Sequence, residues 1–316
     1  MKPEHRIVSL LPSATEIACA LGLGEQLLAI THCCDYPPEI EGKPRVVHSA
    51  LPVEEMTCNE IDVAVSARLK AGESLYYVDE QLLRELAPTL LLTQDLCQVC
   101  APAGNEVSRA LAALPEKPKV VWMSPHSIAD IQSDIAAVAQ AAGREREAER
   151  LIIQMSARLA HVAESVMDLP RPRVFCAEWV DPLFCSGHWV PEQVEIAGGV
   201  DVLGHKWKDS VRITWNQVLE TQPEVIIFMA CGYNCDEAMR RASWLAEQPG
   251  FHDLPAVQQN RVYVVDAGYF SRPGPRVVDG AELVAHLLHP ESCAWLGASE
   301  AFADFRSETS RVASSN

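Results

Sequence analysis

The sequence predicts an α/β fold with two Rossmann-like lobes, each built on a parallel sheet, joined by one long α-helix. Residues 7–30 follow the order strand, helix, strand, which is the crossover unit of a parallel sheet. In residues 128–167 apolar residues recur at the spacing of one helix face. This segment is too long to be a crossover connection between two parallel strands. We expect a first lobe at residues 1–127, the linking helix at 128–168, a second lobe at 169–290 and a mobile tail at 291–316.

The first lobe opens with a short apolar strand, Ile7–Leu11, that ends at a proline. Ser13 and Glu16 have the spacing of a capping box, so we expect a helix that begins there and ends at Gly22 or Gly24. The other predicted elements of this lobe are the strands Leu27–Ile30, Thr89–Thr93 and Val120–Met123 and the helices Asn59–Lys70 and Asp79–Leu86.

The linking helix is rich in Ala, Glu, Arg and Gln, and Gly143 is its one expected kink. The second lobe repeats the alternation of apolar strands with amphipathic helices. Its predicted strands are Arg173–Ala177, Val225–Met229 and Val262–Val265, and its predicted helices are Glu192–Ala197, Trp215–Glu220, Asp236–Gln248 and Val277–Leu288.

Composition narrows the classes of function. The chain has 316 residues and a net charge of −17, which disfavours nucleic acid as a partner because phosphate contacts require clustered Lys and Arg. No apolar run approaches the roughly 20 residues of a membrane helix, so we expect no membrane insertion. The N-terminal residues do not predict an export signal, and eleven cysteines are typical of metal or redox use in a reducing compartment. These observations predict a cytoplasmic location, with a periplasmic one as the alternative.

Cysteines cluster at the points where predicted strands end. Cys97 and Cys100 follow one strand, Cys34 follows another, and Cys231 follows a third. The carboxyl ends of parallel strands meet at one edge, where ligands bind. We therefore predict a metal site formed by Cys34, Cys97, Cys100 and Cys231, holding zinc or an iron–sulfur cluster. A redox or disulfide pair, direct ligation of a ligand's metal, and inert buried thiols remain open alternatives.

Several segments resemble a known family. They are Ser9-Leu10-Leu11-Pro12-Ser13-Ala14-Thr15-Glu16, Asp35-Tyr36-Pro37-Pro38, Phe184-Cys185-Ser186-Gly187, Gly198-Gly199-Val200 and Arg272-Pro273-Gly274-Pro275-Arg276, in that order along residues 6–290. Together they resemble the substrate-binding proteins of the vitamin B12 and ferric-siderophore ABC importers, the class with a helical backbone. The resemblance is greatest to the cobalamin-binding members.

The resemblance implies a pocket for cobalamin or a related corrinoid that contacts Tyr36, Phe184, Tyr269, Phe270 and Arg272. Side chains at the same strand ends extend the predicted ligand set to Pro12, Cys34, Asp35, Gln94, Trp179 and Tyr233. Trp179 is suited either to stack on a flat ligand or to pack in the core, and Arg272 is suited to pair with an anionic group. The family's permease-docking glutamates correspond to Gln81 and Asn216, so the residues do not predict docking to an ABC permease.

No catalytic motif is present in the sequence. It lacks a G-x-S-x-G elbow, a Gly-rich phosphate loop and an H-E-x-x-H motif. The leading hypothesis is therefore a non-catalytic protein that holds a corrinoid or other metal complex in a cleft between the lobes. One alternative is a cytosolic metalloprotein or redox protein that uses the cysteine site. The other is an importer's substrate-binding subunit whose signal peptide has been removed.

Overall fold

The computed structural model describes residues 5–94, 104–112 and 114–305. These residues form two compact units. The first unit falls within residues 1–125 and 129–154, and the second within residues 126–128 and 155–316. No helix among the described residues is long and apolar enough to cross a bilayer.

The first unit is built on a six-stranded sheet with the strand order β4-β3-β2-β1-β5-β6. All neighbouring strands are parallel except β4, which runs antiparallel to β3. The strands are β1 (Ile7–Ser9), β2 (Leu27–Thr31), β3 (Arg45–Ser49), β4 (Tyr76–Val78), β5 (Leu90–Gln94) and β6 (Lys119–Met123). The helices that begin in the first 125 residues are α1 (Pro12–Ala20), α2 (Cys58–Ala71), α3 (Glu80–Leu86) and α4 (Gly104–Ala112).

Helix α1 begins differently from the prediction. Its N-cap is Leu11, which makes no side-chain cap, and Ser13 lies buried inside the first turn. Pro12 occupies the first helical turn, where its fixed φ and missing N–H are favourable. The predicted capping box of Ser13 and Glu16 is therefore wrong. The predicted stop is confirmed, because Gly22 has a φ of 73° in the left-handed region that glycine favours.

The predicted helical segment consists of two helices, α5 (Ile128–Ala142) and α6 (Glu145–Val166). Gly143 has a φ of 64°, and the Arg144 N–H donates to the Ala139 carbonyl at 2.9 Å. This backbone arrangement ends α5 at the position where the sequence predicts a kink. Met155, Leu159, Val162 and Val166 are buried along α6 at the three- and four-residue spacing of one helix face.

The second unit has a sheet with the strand order β10-β7-β12-β13-β14, and β8 pairs with β7 outside this path. A separate parallel pair is formed by β9 and β11. The strands are β7 (Arg173–Trp179), β8 (Phe184–Cys185), β9 (Gly187–His188), β10 (Val200–Asp201), β11 (His205–Lys206), β12 (Val225–Phe228), β13 (Val262–Val265) and β14 (Phe302–Asp304). The helices are α7 (Val190–Ile196), α8 (Trp215–Thr221), α9 (Cys235–Ala246), α10 (Pro255–Gln258) and α11 (Val277–Leu288).

Strand β14 lies in the segment that the sequence predicted to be a mobile tail. It pairs antiparallel with β13, and the Phe305 N–H donates to the Val262 carbonyl at 2.9 Å. Ala301, just before the strand, is buried. Three residues are too few to show a strand period in the sequence, so the pairing comes from tertiary contact. Residues 306–316 lie outside the described residues.

A buried carboxylate fixes the turn after β10. Both oxygens of Asp201 accept hydrogen bonds, one from the Ser186 hydroxyl and the other from the Gly204 N–H at 2.8 Å and the Leu203 N–H at 3.2 Å. Burial raises the pKa of Asp201 to about 6 in spite of these donors. A side chain at position 204 would not fit, because its Cβ would lie 2.3 Å from Asp201 Oδ2.

We expect Asp201 to make the stability of the second unit depend on pH. Because its pKa is raised in the folded state, its contribution is present below its ordinary value of 3.8 and is lost as the pH rises through about 6. Asp201→Asn keeps an acceptor oxygen and cannot ionise, so the free energy of unfolding should fall less between about pH 4 and about pH 7. Denaturant titrations across this range measure the difference. Equal pH slopes for wild type and Asp201→Asn, with exposed Asp253→Asn as the control, would contradict this assignment.

Candidate functional site

In each unit, most predicted ligand contacts lie on or just after strands that end at the same edge of that unit's sheet. In the first unit these are the segments after β1 and β2 and the last residue of β5. In the second unit they are the segments after β7, β12 and β13. Ligands of open α/β sheets bind at this edge, and side chains far apart in sequence meet there.

Cys34 lies inside the first unit. Its side chain is 3% exposed, and its Sγ is 3.2 Å from Thr15 Oγ1 and 3.3 Å from Thr31 Oγ1. Thr15 also donates to Ser9 Oγ at 2.9 Å, and Ser9 donates to the Leu11 carbonyl at 2.8 Å. This buried chain of hydroxyl and thiol groups joins β1, α1 and β2. It argues against the prediction that Cys34 contacts a ligand or a metal.

The loop after β2 presents Asp35 and Tyr36 at the surface. The Arg45 guanidinium holds the loop, donating to the Thr31 and Cys34 carbonyls at 3.0 Å each. The Tyr36 side chain is 43% exposed, Asp35 is exposed, and Pro12 is half-buried. Tyr36, Asp35 and Pro12 thus stay predicted contacts. Gln94 at the end of β5 is only 4% exposed, which argues against its prediction as a contact.

A group of rings beside this loop was missed by the sequence analysis. His32 lies with its ring centroid 6.4 Å from that of His48 and 6.1 Å from that of Tyr76, and His48 stacks on Tyr77 at 5.1 Å. The antiparallel pairing of β3 with β4 forms this group, because it places Tyr77 opposite His48. Partial burial lowers the pKa of His32 and so favours its neutral form.

Two aromatic rings stack at the strand-end edge of the second unit. Trp179 ends β7 and Tyr233 follows β12; their ring centroids are 5.7 Å apart with an interplanar angle of 24°. The Arg241 guanidinium lies 3.7 Å from the centroid of Tyr233. A cation on one ring face orients the phenol and strengthens the assembly. Both stacked rings are half-buried, so part of their surface remains accessible. We call Trp179 and Tyr233 the aromatic platform.

The remaining predicted contacts of the second unit differ in exposure. Phe184 is half-buried beneath the Arg212 guanidinium, and Arg272 is also half-buried. Tyr269 is half-buried and meets Trp295 edge-on at 5.9 Å. Phe270 is 1% exposed and belongs to the core, where its carbonyl accepts a hydrogen bond from Trp189 Nε1 at 2.7 Å. This burial argues against Phe270 as a ligand contact.

The predicted cysteine site gains no support among the described residues. Cys97 and Cys100 lie outside them. Cys231 is exposed in the second unit, whereas Cys34 is buried in the first. None of the nine cysteines within the described ranges forms a disulfide, and burial raises the pKa of Cys176 and Cys185. Such thiols behave as small apolar side chains rather than as ligands.

Within the described ranges, one group of three side chains has metal-ligand spacing. It consists of His126, His188 and Asp209, each offering an atom within 4.8 Å of the others. Burial lowers the pKa of His188, and Asp209 opposes that shift. The sequence analysis did not connect these residues, because they lie on three separate segments.

The chain matches the family model described as "Periplasmic binding protein" over residues 7–269. It therefore belongs to this family. It is 28% identical over 290 residues to the vitamin B12-binding protein of Vibrio cholerae serotype O1, covering 90% of each chain. It is 22% identical over 299 residues to the uncharacterized ABC transporter substrate-binding lipoprotein YvrC of Bacillus subtilis, covering 92% of this chain and 82% of that one.

Solved structures show the same fold. The periplasmic heme-binding protein RhuT from Roseiflexus sp. RS-1 matches with a TM-score of 0.69 and 23% identity, over 90% of this chain and 98% of that one. The periplasmic vitamin B12-binding protein BtuF of Vibrio cholerae matches with a TM-score of 0.65 and 23% identity, over 90% and 96%. These matches confirm the predicted fold class and the resemblance inferred from the sequence segments.

Family membership corrects one expectation. The predicted cytoplasmic location is wrong, because the family is one of periplasmic proteins and the Bacillus subtilis relative is a lipoprotein of an ABC transporter. The expectation rested on the N-terminal residues and on the cysteine count. Most described cysteines are buried or half-buried. The number of cysteines therefore reflects the packing of the protein interior more than the cellular compartment.

Thiol labelling tests the placement of the cysteines. We expect a maleimide to modify exposed Cys33 and Cys231 at least about tenfold faster than buried Cys34 and Cys176, because burial excludes the reagent. Peptide mapping by mass spectrometry measures each site. In a Cys33→Ser variant the peptide that carries Cys34 should stay unmodified until the protein is denatured; rapid modification of that peptide would show that Cys34 is open.

Proposed function

We propose that this chain is the extracytoplasmic substrate-binding subunit of an ABC importer and that its ligand is cobalamin or a close corrinoid relative. The observation that carries this proposal is the aromatic platform at the strand-end edge of the second unit. Family membership supports the binding role, and the platform supports a large flat ligand.

The chemistry of the platform suits a corrin ring. A corrinoid has a broad, weakly polar macrocycle, and stacking it on Trp179 removes apolar surface from water on both partners. The Arg241 guanidinium, 3.7 Å from the centroid of Tyr233, holds that ring in place, so less freedom is lost when a ligand stacks. Aromatic anchors with this kind of support dominate binding energies.

A corrinoid is favoured over heme for two reasons. The vitamin B12-binding relative is 28% identical over most of both chains, whereas RhuT, the heme-binding structure described above, is 23% identical and supports the fold alone. The periphery of a corrinoid carries mainly neutral amides, but heme carries carboxylates. A chain with a net charge of −17 attracts an anionic ligand less well than a neutral one.

Phe184 and Tyr269 of the second unit belong to the same proposal. Pro12, Asp35 and Tyr36 are proposed as ligand contacts of the first unit. Arg272 is proposed as a hydrogen-bond donor to the amide or phosphate oxygens of the ligand. Cys34, Gln94 and Phe270 are left out of the set because each is almost completely buried.

Delivery to a permease requires a docking surface on the proposed subunit. Gln81 on α3 and Asn216 on α8 are exposed in their own units, at the positions where the resemblance places docking glutamates. Glu80, next to Gln81, already pairs with Arg84 at 3.1 Å. We therefore propose that docking of this chain relies on uncharged contacts at these two positions, which would weaken its dependence on salt.

Calorimetric titration tests the ligand class. Cyanocobalamin added to the purified chain should bind with one site and raise the melting temperature, because a ligand that binds only the folded state stabilises it. Hemin and a ferric siderophore serve as competitors of different chemistry. Binding of hemin without any binding of cyanocobalamin would overturn the corrinoid assignment and leave the family role intact.

A tryptophan substitution tests the platform. Trp179→Ala removes one stacking face and should weaken cyanocobalamin binding by about tenfold or more, the loss of at least about 1.4 kcal/mol that is typical of an aromatic anchor. Trp244→Ala is the matched control, because Trp244 is also half-buried in the second unit but lies in the last turn of α9. Equal affinities for both variants, with melting temperatures showing both folded, would contradict the role of the platform.

A further inference from the structure

Three side chains of the second unit converge on one point. His126, His188 and Asp209 each bring a nitrogen or oxygen within 4.8 Å of the others. His188 Nε2 lies 3.2 Å from Asp209 Oδ1, and the ring centroids of His126 and His188 are 5.6 Å apart. Ligands of a tetrahedral zinc ion lie roughly 3.3 Å apart, given bonds of about 2.0–2.2 Å. The distance between His188 Nε2 and Asp209 Oδ1 already matches this ligand spacing.

The contact between His188 and Asp209 has the distance of a hydrogen bond but not its alignment. His188 Nε2 is buried and has no hydrogen-bond partner, although the carboxylate oxygen is close. A buried polar nitrogen without a partner is costly in a folded protein. A cation bound by both atoms would remove that cost, since a neutral imidazole and a carboxylate each offer a lone pair.

The backbone holds His188 against the loop that carries Asp209. The His188 N–H donates to the Lys208 carbonyl at 2.6 Å, and the Trp207 N–H donates to the His188 carbonyl at 2.8 Å. Gly187 allows this approach, because a Cβ there would lie 2.3 Å from the Ser210 nitrogen. His188 itself has a φ of 53°, a sparsely populated conformation for a residue with a side chain. Such conformations persist where surrounding contacts impose them, and they cluster at functional sites.

The Glu192 carboxylate joins the segment that carries His126 to the loop that carries Asp209. Glu192 Oε2 accepts the Ile128 N–H at 3.0 Å and lies 3.4 Å from Trp207 Nε1, which donates to it. Ile128 is two residues after His126, and Trp207 is two residues before Asp209. Glu192 thereby places the segment of His126 beside the loop of Asp209. Ligand side chains fixed by surrounding hydrogen bonds are a feature of metal sites.

From these contacts we propose that His126, His188 and Asp209 form a binding site for one divalent transition-metal cation, with zinc as the metal that best suits two imidazoles and a carboxylate. Three protein ligands leave a further coordination position for water or another donor. The Asp209 side chain is 77% exposed, so the metal enters from its side. The site uses no cysteine and does not depend on the corrinoid proposal. A bound metal would fix residues 126–128 against the loop after β11.

Zinc titration of the chelator-treated full chain tests the site. The wild type should bind one equivalent of zinc at this site, and His126→Ala, His188→Asn and Asp209→Asn should each weaken that binding by at least about tenfold. Asparagine at 188 tolerates a positive φ, so the backbone is kept. His161→Ala, which removes an exposed histidine of α6, is the matched control and should leave the zinc affinity unchanged.

Cobalt substitution separates this site from a thiol site, because eleven cysteines offer other ligands. The cobalt complex of wild type should lack the thiolate-to-cobalt charge-transfer band, and its visible bands should be lost in Asp209→Asn. Asp209 is a surface residue, so that variant is expected to fold even if His188→Asn does not. Unchanged zinc affinity in Asp209→Asn and His126→Ala would overturn the proposal, as would a charge-transfer band that persists in both variants.

Discussion

The parallel pairing of β7 with β12 determines where the candidate contacts of the second unit lie. Val225–Phe228 pairs with Val174–Ala177 residue by residue, and these strand residues are completely buried. Because the two strands run in the same direction and end at the same level, Trp179 and Tyr233 leave the sheet side by side. Strand β13 is parallel to β12, with Val264 beside Phe228, and so carries the Tyr269 segment to the same edge. The aromatic platform is therefore a consequence of core packing.

A second set of contacts organises the segment between β8 and β11. The Ser186 N–H donates to the Cys176 carbonyl at 3.1 Å, and the Ser186 hydroxyl donates to the buried Asp201 carboxylate. The His205 N–H then donates to the Ser186 carbonyl at 2.9 Å, which starts the pairing of β9 with β11. Asp201 thus fixes the position of His188 through the strand next to it. The buried acid, the close approach at Gly187 and the convergence of His188 with Asp209 form one connected structure.

The sequence predicted those parts of the fold that depend on local patterns. β13 and α11 have the predicted bounds, because each is a strongly apolar segment with turn residues on both sides. The burial of Cys34 was not predictable, since it depends on Thr15 and Thr31 closing around the thiol from two other elements. The convergence of His126, His188 and Asp209 was missed for the same reason: no local pattern connects three segments that tertiary packing brings together.

The structure of the chain with bound cyanocobalamin would test the account most directly. We predict that the corrin ring lies in van der Waals contact with Trp179 or Tyr233, with the stacking of these two rings retained. A corrinoid bound away from both rings would show that the aromatic platform is part of the packing of the second unit and has no role in recognising the ligand.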